Sequence, residues 1–377
     1  MKKQPSKSPL LNFVFLVVLS AVWFGIGWLL RERSLSPESV LIEQVRQRLL
    51  SSSALTLPES RELTYAAIRG MLKRSGDTHA AFLTPELSAR YRDDFAGQSG
   101  VIGLAPEIQN GQVVATVVFP GEPAAEAGLK EGDILLSVDG VSFDETTTSA
   151  DAGLLVRGPV GKPASIVVRR GEAVLTFTPI RKLRTIVDAK MLAGQIAYIA
   201  QYTFTQNSAQ EFQKAFETLL AQNPKSLIWD LRSNGGGSME AAQAILSTLI
   251  GDGLLFSTEE KDGKRTDFAA NGKPINTEIP LVVLVGSRTY SAAETSASAI
   301  QERKRGTVMG GVTFGKGTVQ ATVPLTEDCL LQFTVARWLS PSGKWYEKIG
   351  VSPDIAVSDD PATEQDEVLE AAINYLK

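Results

Sequence analysis

The chain is poor in two residues on which hydrolytic and metal chemistry often rest. It has one histidine, His79, and one cysteine, Cys329. A single cysteine excludes an intramolecular disulfide framework and any cysteine-rich metal site. A single histidine leaves any hydrolytic reaction to another base, unless His79 alone supplies it. There is no excess of charge of either sign: 38 Lys and Arg against 42 Asp and Glu give a net charge of −4. That balance carries no global footprint for nucleic acid. With 377 residues, 43% of them hydrophobic and 21% charged, the chain is ordinary for two or three globular domains and is not a disordered polymer.

Charge is also missing from residues 10–30, an apolar run long enough to cross a hydrocarbon core of ~30 Å. Lys2, Lys3 and Lys7 precede it, and it continues into Arg31 without a small-x-small cleavage site. The reading is a retained single-pass anchor in the cell membrane, with a cytoplasmic tail at 1–9 and the remaining domains on the extracytoplasmic side. Residues 38–50 and 59–73 follow with Leu and Val at helical spacing, within a helical region spanning 31–97 and suited to pairing with a second copy.

From 98 to 183 the pattern changes to short strands and glycine turns. Gly100, Val101, Ile102, Gly103 and Leu104 form a glycine-bracketed apolar turn whose N–H groups can converge on a carboxylate. Strands are expected at 112–119, 131–140, 164–169 and 173–179, with a short helix before Gly128 and a second at 147–156. The runs GVIG, PGEPAAEAGLKEGDILLSVDG and VRGPVGKP resemble a PDZ domain of the kind found in bacterial proteases. The resemblance implies capture of a peptide's carboxyl end as an added strand, its terminal carboxylate held by main-chain N–H groups at residues 100–104. Arg157, at the exit of the second helix, stands where it could meet the catalytic half.

The remainder, 184–377, holds two continuous apolar runs, 226–231 and 279–285, each with the pattern of a strand buried on both faces. The first ends in Asn234, Gly235, Gly236, Gly237 and then a helix at 239–249. Such a strand, glycine turn and helix start present free N–H groups to developing negative charge. The second ends in Tyr290 and Ser291 before a helix from Ala292. Ser291 with Glu294 fits the capping-box pattern, so that serine alone is no more than a helix cap. Further on, Gly310, Gly315 and Lys316 match a phosphate loop, but Gly317 stands where Ser or Thr must ligate magnesium, and 318–325 alternates like a strand instead of opening a helix. Lys316 reads instead as a buried amine whose pKa falls on desolvation and which could take the proton of Ser291. Gln320 lies on the same strand face and could orient that amine.

Taken together, DTHAAFLTP, LIWDLRSNGGG, YSAAE, TFGKGTVQ and LSPSGKWYEKIGVSPDI resemble the carboxy-terminal processing peptidases, or tail-specific proteases. With the apolar run and the helical region before it, the expected fold class is multidomain α/β (α+β): a transmembrane helix, a helical linker, a PDZ domain and, as the resemblance implies, a protease core with a mixed sheet flanked by helices. It implies Ser291 as nucleophile, Lys316 as general base, Gln320 as their partner, and an oxyanion hole from Gly235 or Gly236 and Ala292. No metal or cofactor is expected, and the partners are proteins with exposed carboxyl tails. Tyr290 departs from the family's usual Ala or Thr. His79 is read as structural. The competing reading is an inactive PDZ scaffold that binds tails without cutting them.

Overall fold

The computed structural model describes residues 36–360, 363 and 365–377. The apolar run 10–30 therefore lies outside the described residues, and among those described no helix is long and apolar enough to cross a membrane. The described chain divides into two compact units that meet at residues 70 and 71.

The first unit carries the helix Pro37–Ser52, started by Ser36 (Ser39 N–H to Ser36 Oγ, 3.3 Å) with proline in its first turn. It buries none of its residues; Leu41, Ile42 and Val45 are all exposed. Arg46 pairs with Glu43 at 2.6 Å and also donates to Ser60. The helix Ser60–Ser75 continues from this unit into the second.

The second unit is organised by three large sheets. One is mixed, with the order Val187–Leu192, Ile196–Gln201, Ser226–Asp230, Leu281–Val285, Thr307–Gly310, Ile355–Ala356; the first pair is antiparallel and the rest parallel. Its three central strands are buried along their whole length, as their unbroken apolar runs require. Alternate residues serve opposite layers. Ala197, Ile199, Leu227, Trp229 and Val283 pack on the helices Ser208–Leu220, Met239–Leu249 and Ala292–Glu302. Tyr198, Ile228, Val282 and Leu284 pack on the helix Glu367–Tyr375.

The second sheet is antiparallel and was not foreseen as a unit. The strand Leu330–Leu339 pairs with Ala81–Leu83, with Thr318–Pro324 and with Leu254–Glu260, which in turn pairs with Arg265–Ala269. Ala81–Leu83 and Thr318–Pro324 flank Leu330–Leu339 on opposite sides, so that strand lies between the segment around Asp77 and the strand that follows Lys316. The third sheet runs Leu104–Gln109, Gln112–Val118, Ile134–Val138, Ile166–Arg170, Ala173–Phe177, with the helix Ser149–Val156 closing a core that also takes in Ala81, Leu83, Leu87 and Leu330. Thr148 and Asp151 cap that helix reciprocally, which moves its start two residues beyond the sequence reading.

Candidate active site

Ser291 is presented by a tight turn. After the strand Leu281–Val285, the fully buried Thr289 donates its hydroxyl to Leu231 O at 2.8 Å and accepts from Gly286 N–H at 3.0 Å. Tyr290 N–H reaches across to Asn234 O at 3.0 Å, joining the turn to the glycine loop. Ser291 itself has φ of 51° and ψ of −118°. Few non-glycine residues adopt positive φ, and the surrounding bonds must hold it there. Glu294 is the main holder: its Oε2 accepts the Ser291 N–H at 2.8 Å.

The same carboxylate, fully buried, also reaches the loop that carries Lys316. Oε2 accepts Lys316 N–H at 2.9 Å, and Oε1 accepts Gly315 N–H at 2.6 Å and Thr313 Oγ1–H at 2.5 Å. One oxygen atom therefore fixes the main chain of both Ser291 and Lys316. The capping-box reading of Glu294 is right for its bond to Ser291 N–H and captures a quarter of what the side chain does. A signal for the rest was available: residues 292–300 are small or apolar with no polar face, so Glu294 had to be buried and needed partners inside.

The Lys316 main chain is pinned further. Trp338 Nε1 donates to Lys316 O at 2.7 Å, Trp345 Nε1 to Gly317 O at 2.9 Å, and Gly317 N–H to Glu347 Oε2 at 2.8 Å. Burial pulls the Lys316 ammonium below its ordinary value, against the opposing pull of Glu294, Glu347 and Asp77. The Lys316 amine makes no hydrogen bond to Ser291 Oγ in this structure. Gln320, on the strand Thr318–Pro324, donates through Nε2 to Thr318 Oγ1 at 3.0 Å and to Thr334 Oγ1 at 3.2 Å.

The glycine loop sorts its own residues. Asn234, fully buried, donates to Gln201 O at 2.8 Å and accepts Gly236 N–H at 2.8 Å, an i to i+2 side-chain turn. The Gly236 N–H is thus occupied and does not point at an oxyanion, which corrects the expectation for that residue. Its role is spatial: φ is +83°, and a Cβ there would lie 2.9 Å from both Ser291 Cβ and Tyr290 O. Gly235 is exposed beside it, and Ala292 N–H, at the start of its helix, has no acceptor within that helix.

The PDZ turn is more internally bonded than the sequence implied. Gly100 and Gly158 exchange both main-chain hydrogen bonds (2.7 and 3.1 Å), the buried Ile102 gives its carbonyl to Ala124 N–H, and Gly103 gives its carbonyl to Phe119 N–H. Gly100 N–H is therefore not available to a ligand, whereas Leu104 begins an edge strand. Arg157 pairs with Asp94 of the helix Pro85–Phe95 at 2.6 Å, not with the mixed sheet. A contact with the catalytic half comes from Arg288, whose guanidinium lies 5.5 Å from the Phe119 ring centroid. Arg288 also lines a cleft of about 800 Å³ at the carboxyl ends of the parallel strands, with Tyr202, Ser233 and Ser287. Tyr290 packs against Phe314 with ring centroids 4.1 Å apart and planes tilted by 30°. Sequence reasoning left His79 outside the site; it is half-buried and within electrostatic reach of Lys316, Asp77 and Glu347.

Comparison with known proteins agrees with this arrangement. Residues 195–357 match the model of peptidase family S41, and residues 114–170 match a PDZ domain. The carboxy-terminal-processing protease of Bartonella bacilliformis is 30% identical over 326 residues, covering 84% of this chain and 73% of its own. The chloroplastic C-terminal processing peptidase of Tetradesmus obliquus is 32% identical over 317 residues, 79% of this chain and 68% of its own. The solved photosystem II D1 C-terminal processing protease superposes with a TM-score of 0.65 at 30% identity, over 86% of this chain and 89% of that one. The chain belongs to peptidase family S41 as a carboxy-terminal processing protease, a serine-type endopeptidase with a PDZ domain.

Proposed function

We propose that the protein captures the carboxyl tails of extracytoplasmic proteins through its PDZ domain and cleaves them with Ser291 and Lys316. The observation that carries the dyad is the single oxygen, Glu294 Oε2, shared by the main chains of those two residues. Neutral Lys316 takes the Ser291 proton as Oγ attacks the scissile carbonyl, and the ammonium then protonates the departing amine, leaving an acyl-enzyme. Water, deprotonated by the same lysine, attacks the ester, and the lysine passes that proton to the departing Ser291 Oγ as the acyl product is released. Ala292 N–H and Gly235 N–H are the donors for the oxyanion. Gln320 orients the amine.

The tail adds to the edge strand Leu104–Gln109, and the cleft lined by Arg288 and Tyr202 leads it towards Ser291. Membrane attachment rests on the run 10–30 and its lysine flank; deleting residues 1–35 should move activity from the membrane to the soluble fraction. The decisive experiment is cleavage of an unstructured substrate with an apolar carboxyl end. Ser291→Ala and Lys316→Ala should each abolish it, and amidation of the substrate's end should slow the wild type. Full turnover by the Lys316 variant near neutral pH would remove the dyad; indifference to amidation would remove tail capture alone.

A further inference from the structure

Three residues far apart in sequence form a hydrogen-bonded chain behind the base. Asp77 follows the helix Ser60–Ser75 and stands 257 positions from Thr334, yet its Oδ2 accepts Thr334 N–H at 2.7 Å and its Oδ1 accepts Thr334 Oγ1–H at 3.0 Å. The Oδ1 also accepts His79 N–H at 3.0 Å. Burial opposes ionisation of Asp77, but the bonds from Thr334 and His79 outweigh it and hold the carboxyl below its ordinary range. At neutral pH it is an acceptor only.

That fixes the direction of every bond beyond it. A threonine hydroxyl has one proton; Thr334 gives it to Asp77 and must accept from Gln320 Nε2. The second Nε2 proton goes to Thr318 Oγ1. With both amide protons engaged, Gln320 has only its carbonyl oxygen to offer Lys316.

We propose that Asp77 and Thr334 are positioning residues for the proton-accepting lysine, setting Gln320 so that it presents an acceptor and never a donor to the amine. This rests on Lys316 acting as the base. A carbonyl there takes an amine N–H and turns the nitrogen lone pair away from itself, towards the hydroxyl it must deprotonate. The charged and titratable groups facing Lys316 are Glu294 from the nucleophile's helix, Glu347 from the loop after Leu330–Leu339, and Asp77 and His79 from the segment before Ala81–Leu83. Of these, Asp77 reaches Gln320 through the Thr334 hydroxyl.

The test is Asp77→Asn, which keeps the shape; with its carbonyl oxygen on Thr334 N–H, its NH₂ faces both the Thr334 hydroxyl and the His79 N–H. The hydroxyl must then donate to Gln320, whose amide turns over and aims its NH₂ at the lysine. The expected result is a fall in kcat of at least about tenfold, within the 10²–10⁴-fold that a positioned proton acceptor supplies, with KM unchanged. The acid limb of the kcat profile should move to lower pH, since both the lost carboxylate and the new donor disfavour the ammonium. Asp77→Asn with Thr334→Val should recover part of the loss, because no hydroxyl remains to turn the amide; a purely structural aspartate would give additive losses. Thr334→Ser should stay near wild type, and if Asp77→Asn fails to fold, Thr334→Val against Thr334→Ser decides on the same kcat readout. Wild-type kcat and an unmoved limb in a folded Asp77→Asn protein would overturn the proposal, as would a further loss in the double variant. If Lys316→Ala keeps its activity, the base assignment has failed; if it loses activity while Asp77→Asn does not, only the positioning chain has.

Discussion

The catalytic and PDZ regions solve the same problem, holding several loop ends still, with side chains of opposite charge. In the catalytic region the buried carboxylate of Glu294 gathers donors: Ser291 N–H, Lys316 N–H, Gly315 N–H and the Thr313 hydroxyl. In the PDZ region the buried guanidinium of Arg181, 2% exposed, gathers acceptors: the carbonyls of Leu155, Val156 and Pro163 and the carboxylate of Asp139. The choice follows from which end of a helix is being fixed. Glu294 sits in the first turn of Ala292–Glu302, where N–H groups lack partners, whereas Leu155 and Val156 end the helix Ser149–Val156, where carbonyls do. A carboxylate has a free choice of donors, and here they come from both catalytic loops. The guanidinium's contacts remain within its own domain.

The comparison breaks most visibly at Glu294. Glu294→Gln sets an NH₂ against at least one N–H donor, and should cost roughly 3 kcal/mol in chemical denaturation and at least about 100-fold in cleavage, since both catalytic loops shift. Arg181→Met should cost roughly 2 kcal/mol or more, by leaving carbonyls unpaired, yet keep most cleavage of a short peptide while losing the preference for a free carboxyl end. If it silenced peptide cleavage as fully as Glu294→Gln, the two regions would not be separable.

A smaller effect is expected in the pH response. Folding holds Lys316 below its ordinary 10.5, so the unfolded chain binds that proton more tightly and the lysine opposes folding at neutral pH. Lys316→Met should therefore abolish cleavage while raising Tm, with a gain that shrinks as pH approaches 10.5. In the wild type, turnover should climb with pH along a limb centred below 10.5. Least affected should be His79→Ala, within about threefold in turnover, because His79 meets Asp77 through its main chain.

Much of the catalytic half is legible locally. Residues 227–229 and 281–285 are apolar throughout because both faces are covered, and the triple glycine and the small-residue helix after Ser291 announce close approach. The antiparallel sheet was not legible. Leu330–Leu339 is half-buried for most of its length, so its burial has no two-residue alternation, and two of its three partners lie far away in sequence. Nor could spacing show that the Asn234 side chain takes the Gly236 N–H.

With Ser291 as the proposed nucleophile, its backbone also limits which replacement this scaffold accepts. Threonine has the same hydroxyl chemistry, but its branched Cβ resists a φ of 51°. Cysteine, unbranched, fits the turn, so the accessible change of chemistry here is from oxygen to sulfur and not from a primary to a secondary alcohol.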